Sequence, residues 1–358
     1  MINKKEIKIA NKIIGNSHPT YFVADIAANH DSNITRAKEL IYRAAEAGAD
    51  AAKFQHFKAE TIVSESEFEK LGKQLSHQSD WKKSVFEVYK DASLNLDWNV
   101  ELKKACDSVG IHFFTTPYDL EIVDQIAPDV PAIKIGSGDI TWHEMVSKVA
   151  SKNKPYLLAT GASSLNEVKA AVDLGLSINK ELILMQCNTN YTADIENFRY
   201  INLNVLNSYA KLFKGVVLGL SDHTPGHTTV LGAVTLGARV IEKHFTDDCA
   251  RKGPDHKFSM DPKTWREMVD RTRELEKSFG DGVKTVEQNE TETVIVQRRS
   301  ICAAFDISKG RILRHEDFIM LRPAPTNALE PYRVNEIIGK KLKHSKNFGE
   351  TITIEDLE

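Results

Sequence analysis

The sequence predicts an α/β protein, a TIM (β/α)8 barrel followed by a small, mostly β domain. Three observations support this prediction. Eight short apolar runs alternate with amphipathic stretches over residues 21–279. No glycine-rich dinucleotide-binding turn follows the first run, which argues against an open doubly wound sheet. Beyond residue 298, short β-like runs separated by turns replace the alternation.

The predicted elements are short and evenly spaced. A run of apolar residues marks each strand, and apolar residues three and four apart mark each helix. Strands are predicted at residues 21–26, 51–54, 111–114, 132–135, 155–159, 182–185, 216–220 and 240–241. The clearest helices are predicted at residues 34–47, 98–109, 165–176, 228–236 and 262–279.

Two stretches depart from this rhythm. Residues 58–94 are too long for an ordinary connection, so we expect either a lid over the active-site end or a solvated insertion at its rim. Residues 283–297 are polar and poor in apolar side chains, which is typical of a linker. The predicted domains are therefore 1–282 for the barrel, 283–297 for the linker and 298–358 for the small β domain, which has little core of its own.

Composition limits the class of protein. The chain has 358 residues and a net charge of −3, with dispersed lysines and arginines, so neither a nucleic-acid face nor a basic membrane patch is indicated. The four cysteines form no metal-binding or disulfide pattern. No apolar signal core or long apolar run is found, and we expect a cytoplasmic protein without membrane partners.

Two histidines each follow a short apolar run that is predicted to be a strand. His223 lies in GLSDHT at 219–224, and His244 lies in IEKHFT at 241–246. If the two strands are parallel neighbours, both imidazoles reach one divalent metal ion. The alternative is that each is an ordinary hydrogen-bonded residue at a strand end.

Two lysines fall inside predicted strands. Lys53 and Lys134 are costly to bury without a partner, so they indicate an anion between them. Hydroxyl groups that suit phosphate or carboxylate oxygens follow nearby strands, at Thr116, Ser137 and Ser221. The alternative is that each lysine forms an internal ion pair, with candidate carboxylates at Asp25, Asp139 and Glu242.

These motifs resemble those of the sialic acid synthases, phosphoenolpyruvate-dependent enzymes that make nine-carbon nonulosonic acids. The barrel motifs are KFQ at 53–55, TP at 116–117, KIGSG at 134–138, GLSDHT at 219–224, KHFT at 243–246 and GPD at 253–255. The tail motifs RS at 299–300, LRP at 321–323 and IGK at 338–340 resemble their antifreeze-like (SAF, β-clip) domain. The resemblance covers nearly the entire chain.

The resemblance implies condensation of phosphoenolpyruvate with the open-chain aldehyde of a 2-acetamido mannose-like sugar, either N-acetylmannosamine or a 2,4-diacetamido-trideoxyhexose. It implies that His223 and His244 hold a divalent metal, Mn²⁺ first and Mg²⁺ or Co²⁺ as other choices. It also implies a set of residues that bind phosphoenolpyruvate, namely Lys53, Thr116, Lys134, Ser137 and Ser221.

The resemblance further implies sugar contacts from Gln55, Tyr118, Tyr191 and Asp255. In the family the antifreeze-like domain caps the partner's barrel in a domain-swapped homodimer, and Arg322 matches its sugar-binding arginine. The alternatives are core packing for the two tyrosines and an interdomain ion pair for Arg322.

Two catalytic carboxylates depart from the family pattern. Asp139 matches the residue that helps to activate the attacking water, and Asp25 matches an acidic position of the first strand. Many relatives carry Glu at both positions, so each carboxylate here reaches one methylene less far and acts on its target through an intervening water.

Two other functions remain open. One is a barrel aldolase that uses a lysine as a Schiff base, and the other is a sugar-binding relative that has lost catalysis. The histidine pair and the neighbouring anion donors favour a metal enzyme. The sequence does not select the acceptor sugar.

Overall fold

Eight parallel strands close into a barrel in the computed structural model, which describes residues 6–358 apart from the side chains of Ser76 and Asp80. The eight barrel strands are β3 (Tyr21–Asp25), β4 (Ala51–His56), β5 (His112–Pro117), β6 (Ile133–Ile135), β7 (Tyr156–Ala159), β8 (Leu182–Cys187), β9 (Val217–Asp222) and β10 (Ala238–His244). Two further pairs of strands, β1 (Ile7–Ile9) with β2 (Lys12–Ile14) and β11 (Ser300–Ala303) with β12 (Phe318–Leu321), form separate small sheets.

Helices connect the strands of the barrel and cover its outside. They are α1 (Ile34–Glu46), α2 (Ala59–Ile62), α3 (Glu65–Lys70), α4 (Val85–Ala92), α5 (Asn99–Ser108), α6 (Leu120–Ile126), α7 (His143–Ala150), α8 (Leu165–Ile178), α9 (Val205–Leu212), α10 (Thr228–Thr235) and α11 (Pro262–Ser278). A further helix, α12 (Thr291–Gln297), belongs to the second part of the chain. The main apolar core lies between these helices and the strands, as where Trp265 meets Phe245 edge to face at 5.5 Å.

The barrel runs from β3 to β10 in chain order, and β10 pairs with β3 to close it. Every neighbouring pair of barrel strands is parallel, so all carboxyl ends open on one face. The predicted TIM barrel is therefore confirmed. The last strand is longer than the predicted residues 240–241 because Ala238 also pairs with β9 and the polar residues 242–244 continue the pairing with β9 and β3.

An N-terminal hairpin, which the sequence analysis did not predict, covers the opposite end of the barrel. Strands β1 and β2 pair antiparallel, and Ile7, Ile9 and Ile14 are buried. They pack against side chains inside the barrel, including Tyr21 and Phe114. Apolar packing therefore fills the amino-terminal half of the barrel, and polar groups are concentrated at the carboxyl end.

The chain divides into two compact units, Met1–Phe279 and Gly280–Glu358. In the second unit β11 and β12 pair antiparallel over a small core that includes Ile301, Leu313 and Ile352. This agrees with the predicted small β domain. The segment predicted as a linker contains α12. No helix within residues 6–358 has the length and apolar character needed to cross a membrane.

Candidate active site

The carboxyl ends of the barrel strands bring most of the predicted site residues together. Because parallel strands all end at the same face, side chains far apart in sequence share one mouth. Those in or directly after strands β3 to β10 are Asp25, Lys53, Gln55, Thr116, Tyr118, Lys134, Ser137, Asp139, Tyr191, Ser221, His223 and His244. Asp255 joins them from the loop after β10, whereas Arg322 belongs to the second unit, where it is exposed after β12.

The two histidines lie side by side at this mouth, with ring centroids 5.4 Å apart. The Nδ1 atom of His223 is 2.9 Å from the carbonyl oxygen of Asn188. A carbonyl only accepts, so Nδ1 must donate and Nε2 of the neutral ring keeps its lone pair. On His244, Nδ1 is buried and finds no hydrogen-bond partner among the described residues.

The electrostatic surroundings of the two imidazoles differ. Burial, assisted by the nearby positive groups His223 and Lys53, holds the pKa of His244 well below its ordinary value, so that ring is neutral at physiological pH. Burial also opposes charge on His223, but hydrogen bonds to Cys187 and to the Asn188 carbonyl raise its pKa. A cation that bound His223 would therefore compete with a proton.

The two histidines can supply part of the coordination shell of a cation. Within the described part of the chain, no cluster of three or more His, Cys, Asp or Glu side chains is arranged to hold a metal ion. The pair offers two imidazoles, and the partnerless buried nitrogen of His244 fits a missing ligand. Water or substrate oxygens would have to supply the remaining positions.

An aromatic wall fixes the orientation of the rings. Tyr191 meets His223 edge to face at 4.4 Å, and Phe258 meets His244 at 4.8 Å. Tyr191 and Phe258 also contact each other at 5.1 Å. His77, from the long insertion, packs on the other side of Tyr191 at 4.9 Å. The predicted sugar-side tyrosine is thus partly buried and packs against the histidines.

Lys53 is fully buried and has a carboxylate partner within the barrel. Its Nζ atom lies 2.7 Å from Oδ2 of Asp25 and 3.1 Å from the hydroxyl of Thr116. The side-chain amide of Gln55 donates to the same Asp25 oxygen at 3.1 Å. Asp25 therefore links the candidate anion site to His244, whose Nε2 lies 3.6 Å away.

Lys134 forms a second buried ion pair, with Glu242. Its Nζ is also 3.4 Å from the hydroxyl of Ser221. Burial by itself would lower the pKa of Lys134, but Glu242 and Asp25 raise it, so the lysine stays protonated. The internal-ion-pair alternative thus describes both lysines in this structure, and two of the hydroxyls expected to bind the anion, those of Thr116 and Ser221, contact them.

Two carboxyl groups at the mouth have raised pKa values. Asp139 ends a single helical turn, Ser137–Asp139, and its Oδ2 atom is buried with no hydrogen-bond partner in the region that the structure describes. Burial raises its pKa to about 6. Burial likewise raises the pKa of Asp255 to about 6, although the Ala28 N–H donates to it at 3.0 Å. Both groups change charge near neutral pH.

Cys187 is a site residue that the sequence analysis missed. Its buried thiol hydrogen-bonds to His223 and Ser137, which places it between the candidate cation site and the candidate anion site. Ser137 also accepts a hydrogen bond from the Gly161 N–H at 3.0 Å. A Cβ atom at Gly161 would lie 1.8 Å from the hydroxyl of Thr189, so only glycine fits there.

A cavity in two parts leads to these groups. The inner part, about 140 Å³, is lined by Gln55, Tyr118, Tyr191, His244 and Asp255. The outer part, about 970 Å³, is lined by the 249–258 loop and by insertion residues that include His77 and Trp81. The insertion therefore lies at the active-site end, as a lid or a rim would. The inner part brings four predicted sugar contacts beside a candidate cation ligand.

The comparisons with known proteins agree with this geometry. The model of the NeuB family matches residues 40–284, and the model of the SAF domain matches residues 298–358. The chain belongs to the NeuB family. The resemblance to the sialic acid synthases is confirmed.

This NeuB-family chain is similar to synthases of several nonulosonic acids over almost its full length. It is 35% identical to the N,N'-diacetyllegionaminic acid synthase of Legionella pneumophila, covering 96% of each chain. It is 29% identical to the N-acetylneuraminate-9-phosphate synthase of Homo sapiens, covering 95% of this chain and 93% of that one. The N-acetylneuraminic acid synthetase structure from Leptospira borgpetersenii, 27% identical, aligns with a TM-score of 0.71 over 81% of this chain and 95% of that one.

Proposed function

We propose that this NeuB-family chain condenses phosphoenolpyruvate with the open-chain aldehyde of a 2-acetamido mannose-like sugar. The products are a nine-carbon nonulosonic acid and phosphate. The observation that carries the proposal is the position of His223 and His244, 5.4 Å apart between ring centroids, beside an interior that contains Lys53 and Lys134. Such a site joins a place for a cation to a place for a small dianion.

Phosphoenolpyruvate would bind to the buried lysines and their hydroxyl neighbours. Lys53 and Lys134 supply two fixed positive charges, and their present carboxylate partners, Asp25 and Glu242, belong to the chain itself. The substrate's carboxylate and phosphate oxygens would share or replace these partners. The hydroxyls that complete the set are Thr116, Ser137 and Ser221.

His223 and His244 would hold a divalent cation, Mn²⁺ first, with Mg²⁺ and Co²⁺ as other choices. When bound, such an ion supplies Lewis acidity that polarises the aldehyde oxygen of the sugar. Asn188 keeps the His223 ring in the tautomer with the lone pair on Nε2, and Tyr191 holds the ring in place. Burial keeps His244 neutral and able to donate its lone pair.

The carbon chemistry needs one base from the chain. The methylene carbon of phosphoenolpyruvate attacks the aldehyde carbon, which forms the new C–C bond and leaves positive charge at C2. Water adds to C2 and gives one proton to Asp139, and the former aldehyde oxygen takes up one proton to become the new hydroxyl. The added hydroxyl then becomes the C2 ketone as the C–O bond to phosphate breaks, and its remaining proton leaves with the phosphate. A carboxyl with a pKa of about 6 is suited to this task, since it is ionised at neutral pH yet basic enough to accept a proton.

The acceptor sugar would occupy the inner cavity. Gln55, Tyr118, Tyr191 and Asp255 line it and offer amide, phenol and carboxyl groups to the hydroxyl and acetamido groups of a sugar. Arg322 of a partner subunit would complete the site in a domain-swapped homodimer. Two of the relatives named above are synthases of N,N'-diacetyllegionaminic acid and of N-acetylneuraminic acid, so diacetamido-trideoxyhexoses and N-acetylmannosamine are the first acceptors to test.

Two observations argue against the other candidate functions. A Schiff-base aldolase needs a lysine that loses its proton readily, whereas Glu242 and Asp25 raise the pKa of Lys134 against the effect of burial. A sugar-binding relative without catalysis would not need the buried lysines beside the histidine pair, because neutral sugars bind without them.

The test is phosphate release on mixing the full chain with phosphoenolpyruvate, Mn²⁺ and a panel of acetamido sugars, with mass detection of the product. The expected result is phosphate and a nine-carbon acid in equal amounts with one sugar of the panel. Product formation from pyruvate in place of phosphoenolpyruvate, with borohydride trapping of a lysine, would instead show an aldolase. Sugar binding without any turnover across the panel would contradict an enzyme of this kind.

A further inference from the structure

Asp222 and Lys243 form an ion pair on the outer side of the barrel wall, directly behind the two histidines. The two residues are aligned in the register of β9 and β10, and their side chains are 2% and 1% exposed. Side chains alternate along a strand, so Lys243 points away from the interior that Glu242 and His244 face. The proposed chemistry assigns no direct role to this charge pair.

The pair is the centre of a closed network of hydrogen bonds. The Asp222 carboxylate accepts from the hydroxyls of Thr224 at 2.9 Å and Thr229 at 2.7 Å, and from the backbone N–H of Thr224 at 3.2 Å. Lys243 donates to the Thr224 carbonyl at 2.5 Å. The network thus holds the residues on both sides of His223 and ties them to the residue before His244.

This arrangement fixes the two imidazoles relative to each other. A slip of one strand by a single residue would turn its histidine to the opposite face. Lys243 blocks such a slip, because a buried ammonium group without its carboxylate partner is strongly disfavoured. Thr229 is the second residue of α10. Its hydrogen bond to Asp222 therefore anchors the turn that carries His223 to a helix outside the barrel.

We propose that Asp222, Thr224, Thr229 and Lys243 are positioning residues that set the separation of His223 and His244 and thereby the affinity for a divalent cation. This inference rests on the proposed function of the histidine pair. Ligand atoms must lie within a few tenths of an ångström of their ideal distances from a metal, so a small shift of either ring lowers affinity. Groups behind the ligands can therefore control binding without touching the ion.

Thr229 offers the mildest test, because its hydroxyl reaches Asp222 and Thr224 and no histidine. Thr229→Val keeps the shape and removes both contacts, while Thr229→Ser keeps the hydroxyl. Thr272→Val is the matched control, since Thr272 is a buried threonine of α11 whose hydroxyl donates only to the Met268 carbonyl, at 2.8 Å. Mn²⁺ binding to the full chain is measured by electron paramagnetic resonance without substrates.

Thr229→Val is expected to weaken Mn²⁺ binding roughly 10-fold, the lower end of the loss seen for groups behind metal ligands. Thr229→Ser and Thr272→Val are expected to stay within about twofold of the parent chain. The double variant Asp222→Asn/Lys243→Met should lose more than Thr229→Val. Its circular dichroism and thermal transition check folding. Equal losses for Thr229→Val and Thr272→Val, or no loss for Thr229→Val, would overturn the inference.

His223→Ala separates this inference from the proposed function. If the parent chain binds Mn²⁺ no better than His223→Ala, the metal assignment fails. The positioning role is then decided by ¹⁵N chemical shifts of the His223 and His244 rings in the metal-free chain. Thr229→Val should move them and Thr272→Val should not; unmoved shifts would overturn the positioning role whatever the metal result.

Discussion

Lys134 on β6 and Glu242 on β10 form an ion pair across the interior of the barrel, from strands that stand opposite each other in the closed sheet. Lys53 and Asp25 form a second pair beside it. The charges of the two lysines and their two carboxylate partners cancel, so these pairs leave no excess positive charge in the interior. A dianion that enters needs a further cation, which an ion at the histidine pair would supply.

The lysine pair leads to a first prediction. Lys134→Met keeps the aliphatic volume and removes the charge, so it should weaken phosphoenolpyruvate binding by about 2 to 5 kcal/mol and sugar binding much less. Steady-state kinetics with each substrate varied in turn measure both effects. Equal losses for the two substrates would show that Lys134 has a structural role only.

Removal of Lys134 also leaves Glu242 buried in the interior without its ion-pair partner. Breaking a buried pair by removing one partner costs about 3 to 5 kcal/mol of folding free energy. The double variant Lys134→Met/Glu242→Gln should therefore recover much of the stability in a denaturant titration, yet still bind phosphoenolpyruvate weakly. This control separates the loss of the fold from the loss of the anion site.

The second prediction concerns the metal. Two imidazoles with open positions hold a cation reversibly, so a chelator should abolish turnover and added Mn²⁺, Mg²⁺ or Co²⁺ should restore it. His223→Ala and His244→Ala should stay inactive at metal concentrations that restore the parent chain. His18→Ala, which removes a contact with Glu6 far from the barrel mouth, is the control. Full activity in the presence of chelator would exclude the metal role.

The barrel and its mouth are predictable from the sequence because apolar runs mark buried strands and strand ends must meet at one face. β10 is the instructive case. Its apolar residues Val240 and Ile241 reveal only a short strand, whereas Glu242 and Lys243 continue it as buried charges, each paired with a partner far away in sequence. Periodicity does not report such pairs, since their partners are brought together only by barrel closure.

Other site features leave weaker signals in the sequence. The hairpin of β1 and β2 alternates Ile7 and Ile9 over too short a run to stand out from a polar terminus. The contact between Cys187 and His223 depends on the barrel neighbours β8 and β9, and a lone cysteine predicts no partner. The family resemblance supplied roles for residues that spacing alone does not distinguish from ordinary strand ends.

The third prediction concerns pH. Burial raises the pKa of Asp139 from 3.8 to about 6, and a base acts only when deprotonated, so kcat/KM for phosphoenolpyruvate, which reports groups of the free enzyme, should rise as the pH increases through about 6. Asp139→Asn should lower kcat by roughly 10²- to 10⁴-fold and abolish this rise. Asp255→Asn, which alters the other carboxyl with a raised pKa, should change the sugar KM and keep the rise that Asp139 causes.

The raised pKa of Asp139 favours catalysis at high pH but lowers the folding stability there. A carboxyl with a raised folded pKa holds more protons in the folded state than in the unfolded state between pH 3.8 and about 6, so folding stability is lost as the pH rises through that window. Asp139→Asn should therefore be more stable than the parent chain at pH 8 and no more stable at pH 4. Thermal melts at the two pH values measure the difference. If the stability difference between Asp139→Asn and the parent chain is the same at both pH values, Asp139 is not a buried carboxyl without a partner.

The last prediction tests whether the second unit completes the site of a partner subunit. If Arg322 on one chain serves the barrel mouth that contains His244 on the other, a mixture of Arg322→Ala and His244→Ala chains should recover activity after subunit exchange. In such a heterodimer one mouth carries both intact groups, so it should show roughly half the activity per dimer of the parent. Exchange is verified by mass spectrometry of differently tagged chains. A chain cut after Glu290 should keep a folded barrel, since that unit has its own core, and lose sugar affinity. Confirmed exchange without recovery at any mixing ratio would show that Arg322 serves its own chain or no active site at all.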